Sequence, residues 1–118
     1  MRPAFLVMSI AASIALISPF ARAQSDNDGA WAVSLLTHKG DCDRSINSSV
    51  RVRDGRIEEQ SLFARITGAI DPTGTVSLKV VRGSDTIAAR GMVTGLQARG
   101  SWTAPSRNCS GSWIAMRG

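Results

Sequence analysis

Ile46-Asn47-Ser48-Ser49-Val50-Arg51-Val52-Arg53-Asp54-Gly55 changes side-chain character at nearly every step. Ile46, Ser48, Val50 and Val52 fall on one face of an extended chain, with Asn47, Ser49, Arg51 and Arg53 on the other. A period of two belongs to a strand with one side on a core and the other in water. Asp54-Gly55 then supplies two residues that tolerate the positive φ values of a type I′ turn. Arg56 to Glu59 is therefore expected to return as a short strand.

The same reading extends in both directions. Trp31, Val33 and Leu35 share one face of a first strand. Leu62 to Ile70 reads as a strand ended by Asp71-Pro72-Thr73-Gly74, a turn on both proline and glycine chemistry. Thr75 to Val81 alternates again and turns at Arg82-Gly83-Ser84-Asp85. Thr86 to Val93 and Leu96 to Thr103 are glycine-rich strands divided near Thr94-Gly95, and Pro105 to Asn108 loops into a last strand, Cys109 to Met116. Helical spacing is missing throughout. Strands at this cadence define an all-β chain, a small antiparallel up-and-down barrel of about eight strands or a closely related sandwich. A chain of 118 residues has room for one such domain and excludes a TIM barrel or a solenoid.

The start of the chain reads as an export signal. Arg2 precedes Ala4 to Ile17, a run of apolar and small residues too short to span a bilayer. Ser18-Pro19 breaks it, and Ala21-Arg22-Ala23 has the small-x-small form accepted by signal peptidase, which places cleavage between Ala23 and Gln24. The expected organisation is a signal peptide over 1–23, a flexible N-terminus over 24–29 and one barrel domain over 30–118. No membrane span follows cleavage, and the destination is periplasmic or secreted. Arg2 and Arg22 leave with the signal, so a formal net charge of +5 becomes +3.

Export decides how Cys42 and Cys109 are read. Two cysteines in an oxidising compartment pair, and neither belongs to a C-x-x-C motif, so a disulfide is expected. The bridge also bears on strand number. Cys42 follows the first strand and Cys109 opens the last, so those ends meet only if first and last strands are antiparallel neighbours. In a meander that requires an even count. Eight strands satisfy it and close the sheet; seven, with Arg56 to Ile70 as one bent strand, do not.

The residues to be tested as ligand or partner contacts are Trp31, Trp102, Trp113, His38, Arg51 and Arg53. Gly29-Ala30-Trp31, Gly100-Ser101-Trp102 and Gly111-Ser112-Trp113 repeat one pattern, in which glycine gives space to an indole on a neighbouring strand. Such indoles either plug a barrel core or line a ligand pocket. His38 is the single histidine, and neither a second histidine nor a zinc spacing accompanies it, so no metal and no cofactor is expected. The chain also lacks a G-x-S-x-G nucleophile motif and a phosphate-binding glycine loop, and no enzyme activity is expected. Arg51 and Arg53 make a small cationic strip beside Asp54, Glu58 and Glu59. With a net charge of only +3, nucleic acid is not an expected partner.

Gly29-Ala30-Trp31-Ala32-Val33-Ser34, Gly40-Asp41-Cys42-Asp43, Val50-Arg51-Val52 running into Asp54-Gly55, and Cys109-Ser110-Gly111-Ser112-Trp113-Ile114-Ala115-Met116-Arg117 carry a resemblance. The mature chain resembles a family of small exported proteobacterial β-domain proteins, some of which carry a haem-utilisation or adhesion label. More coarsely, its glycine-x-tryptophan opening is similar to lipocalins, avidins and periplasmic inhibitors of metalloproteases. The family is uncharacterised and supplies no catalytic or binding residues to carry over. The expected function, taken from the missing catalytic motifs and the small disulfide-stapled barrel, is a non-enzymatic binding module of the cell envelope that meets an unidentified protein or envelope component. The alternatives are a barrel carrying a small ligand such as haem, or a protease inhibitor acting through its N-terminal tail. A cavity above about 300 Å³ separates a carrier from a filled binding module.

Overall fold

Asp54 and Gly55 adopt φ values of 53° and 76°. The type I′ turn is thus formed, and it joins β2 (Ser45–Arg53) to β3 (Arg56–Gln60) with Arg53 opposite Arg56. The computed structural model describes residues 27–118. The remaining strands are β1 (Gly29–Lys39), β4 (Arg65–Ile70), β5 (Thr75–Arg82), β6 (Asp85–Thr94), β7 (Gln97–Ala104) and β8 (Cys109–Arg117). Each pairs antiparallel with the next, and β8 returns to pair with β1 from Trp31 opposite Arg117 to Lys39 opposite Ser110. The sheet is a closed barrel of eight strands rather than a sandwich. The signal reading (1–23), its cleavage point and residues 24–26 lie outside the described residues.

Cys42 and Cys109 are bonded, with Cα atoms 6.1 Å apart. The bridge ties the loop after β1 to the start of β8, and those two strands are antiparallel neighbours, as an even strand count requires. The Cys42 amide also donates to Cys109 Sγ at 3.2 Å.

Three local expectations are corrected. The expected flexible segment 24–29 does not reach Gly29, which already lies in β1. Just before it, the Asp28 carboxylate accepts from the amides of Asp54 (2.7 Å) and Gly55 (3.0 Å), so a charged acceptor caps the hairpin from a distant part of the chain. The strand expected from Leu62 begins only at Arg65. Ser61 Oγ accepts from the amides of Phe63 and Ala64, local bonding that competes with a ladder and turns the chain at 61–64. Third, Ser48 has the inward register yet is exposed, because β2 and β3 pair only at Val52–Ile57 and Arg53–Arg56 and then diverge. Half-buried Glu59 bridges the opening by accepting from the Arg51 amide at 2.6 Å.

The core sits inside the barrel, and its large members are the three indoles. Trp113 on β8 lies opposite Gly100 on β7, which lies opposite Gly91 on β6. Its indole packs on Gly91, two strands away, and Nε1 donates to Arg90 O and Ser101 O, each at 3.2 Å. Trp102 on β7 lies opposite Gly111 on β8, and its Nε1 donates to Ser112 O (3.1 Å) and Leu36 O (3.2 Å). The two glycine-x-tryptophan motifs therefore exchange, each strand lending its glycine to the other strand's indole. The accepting carbonyls of Arg90 and Leu36 occupy the space that a Cβ on Gly100 or Gly111 needs. Gly100→Ala is accordingly expected to lose about 2–4 kcal/mol, from overpacking plus a displaced indole hydrogen bond. Urea unfolding followed by tryptophan fluorescence checks this, with exposed Ser101→Ala as the neighbouring control.

Candidate binding surface at the disulfide end

Two hollows follow one another along the barrel axis. The inner one is an apolar void of about 70 Å³ between Trp31, Trp113, Val52, Ile57, Val76 and their neighbours. It is well below the roughly 300–1,000 Å³ of ligand pockets, and its wholly apolar walls give water nothing to bond. The outer one is a mouth of about 180 Å³ at the disulfide end. Leu35, Ile46, Ile87 and Trp102 contribute apolar lining there, and Asp41, Asp43, Arg82, Asp85 and Arg107 contribute charge.

Local chemistry places each charged group. Asp41 and Asp43 flank the bridged Cys42, and Thr37 Oγ1 donates to Asp43 O. Arg107 ends a short 3-10 turn, Pro105–Arg107, which stops at Asn108 in the left-handed region (φ 54°) with its amide bonded to Pro105 O. Asp85 faces that turn, accepting from Ser106 Oγ (3.0 Å) and Arg107 Nη1 (3.4 Å). Both partners are partly exposed, so the pair contributes orientation more than stability. The rim is therefore mixed in sign over an apolar floor, a chemistry suited to recognition by contact.

The nominated residues do not gather into one site. Trp31, Trp102 and Trp113 are all buried, and each indole N–H is spent on backbone carbonyls, Trp31 on Asn27 O at 2.9 Å. Only Trp102 reaches the mouth. His38 lies on the outer wall, its Nε2 hydrogen-bonded to Ser112 Oγ at 2.8 Å. No carboxylate is bonded to His38 among the described residues. Ser112 borders a shallow outer groove with Ser34, Leu36, Arg99 and Ile114. Arg51 and Arg53 point outward from β2 and form no ion pair among the described residues, so the expected balance by Asp54, Glu58 and Glu59 does not take that form. The rim residues Arg82, Asp85 and Arg107 were readable only as turn residues, since the β5–β6 turn, which holds the first two, meets the β7–β8 connection only in the closed barrel. At the opposite end, the Thr73 hydroxyl, followed by the Thr75 amide, holds the Asp71 carboxyl below its ordinary pKa.

No protein-family model, curated protein or solved structure matches the chain. Among the described residues, no helix is long and apolar enough to cross a membrane and no cluster of three or more metal-ligating side chains occurs.

Proposed function

We propose that this chain is an exported, non-enzymatic binding module that recognises a protein or envelope component with the loops at its disulfide end. The observation that carries the reading is the filled interior: a void of about 70 Å³ is too small for a carried ligand of haem size. A cystine accords with an oxidising compartment. The tail-insertion alternative loses support from Asn27 and Asp28, which bond to Trp31 and to the β2–β3 turn.

Haem titration of the wild type and of His38→Ala is expected to give no Soret shift in either. The mature domain is expected to retain a partner from envelope extract, and Arg107→Glu at the rim to lose it. Equal capture by both forms, or a stoichiometric haem complex, overturns the reading. One observation favours an enzyme: the His38–Ser112 pair beside an open groove. An adduct of a fluorophosphonate probe at Ser112, lost in His38→Ala, establishes that second reading instead.

A further inference from the structure

The turn between β3 and β4 carries the two most exposed of the large apolar side chains described, Leu62 at 94% and Phe63 at 77%. Their display is not a product of slack backbone. The Ser61 amide donates to Ala64 O at 2.9 Å, and Ser61 Oγ accepts from the Phe63 and Ala64 amides at 3.2 and 3.1 Å. A hydrogen-bonded turn thus holds both side chains in water, at a standing cost to solubility.

Two outward-facing cations stand behind it. Arg65 leaves the tip on the outward face of β4, opposite Val81, another exposed apolar residue. Lys79 follows on the same face of β5, opposite Thr67. Neither Arg65 nor Lys79 forms an ion pair among the described residues, and Glu58, opposite Thr67 on the other side, is the acid that faces them. Apolar residues at a protruding tip with free cations behind them match the interface of a bilayer, where apolar groups enter the acyl boundary and basic groups meet phosphate.

We propose that the Leu62-Phe63 tip docks this domain peripherally on an anionic lipid surface, with Arg65 and Lys79 at the headgroups. The proposal rests on the reading that the disulfide-end loops bind an envelope component, and it names that component's chemistry. Two features favour lipid over a protein pocket: both apolar side chains of the tip stand in water, and on the outward face behind it Arg65 and Lys79 outnumber Glu58, the half-buried Glu59 carboxylate being turned to the Arg51 amide. The barrel itself is built for water. Its outward strand positions carry Arg51, Lys79, Arg90 and Arg99 and its interior is apolar, the reverse of a membrane-spanning barrel.

The test is co-sedimentation of the mature protein with phosphatidylcholine vesicles, with and without phosphatidylglycerol. Binding is expected to need the anionic lipid and to weaken with salt. Leu62→Ser/Phe63→Ser is expected to weaken it roughly tenfold or more without changing the melting temperature, since neither side chain packs on the core. Arg65→Gln/Lys79→Gln is expected to weaken it about fivefold per charge removed. Absent binding to anionic vesicles, or a tip variant that binds as the wild type does, overturns the proposal. Vesicle failure alongside capture of a protein that Arg107→Glu abolishes overturns the lipid inference alone and leaves the binding-module reading standing.

Discussion

Trp113→Ala is expected to lower the unfolding free energy by about 3–5 kcal/mol, the range for a large aromatic removed from a core. The residue is 7% exposed, lies opposite Gly100, packs its indole on Gly91 and satisfies two carbonyls at once. Deleting it enlarges the 70 Å³ void that it already borders. Gly91 and Gly100 carry no side chain with which to refill the space. Trp113→Phe separates the two contributions. It keeps most of the apolar volume but offers no donor to Arg90 O and Ser101 O, and about 1–3 kcal/mol is expected. The measurement is urea unfolding of each variant, with added indole as a rescue ligand for the alanine form. A loss under about 1 kcal/mol for Trp113→Ala returns Trp113 to the status of an open-pocket residue.

Removing both sulfurs, as Cys42→Ser/Cys109→Ser, is expected to cost about 4 kcal/mol, from the chain entropy of a loop with a sequence separation of 67. That is a large part of the ~5–15 kcal/mol typical of a domain. The effect should concentrate at the β1–β8 seam. There the ladder shifts register between Thr37 and Lys39, and Gly40 (φ 94°) packs so tightly on Asn108 and Cys109 that no Cβ fits. Hydrogen exchange is therefore expected to rise first along Leu36–Lys39 and Ser110–Ser112. Reduction of the wild type should reproduce the loss. Two free thiols in the purified protein, or an unchanged melting temperature in the double variant, removes the bridge from the account of barrel closure.

Much of the architecture was legible because it rests on short-range rules. Asp54-Gly55 encodes its turn in two backbone conformations, and the alternation of Val50 and Val52 with Arg51 and Arg53 encodes a face. Leu62 and Phe63 misled for the complementary reason. Hydrophobicity placed them in a strand, whereas the hydroxyl of Ser61, one residue earlier, had already turned the backbone. The mouth was hidden more deeply. Asp41, the Arg82–Asp85 turn and Arg107 lie far apart in the chain, and no local pattern marks the three places as neighbours.

By itself the order of residues pointed to a meander of short strands with a cystine between the first and the last, and left open seven strands or eight, sandwich or barrel. Periodicity, turn chemistry and the parity of an antiparallel sheet are properties of the chain and need no distant partner. Only the tertiary structure decided which glycine serves which indole, that the interior is filled, and that β2 parts from β3 beyond Arg51. Those outcomes depend on register and on how much side-chain volume converges inside the closed sheet, quantities that exist only once all eight strands are in place.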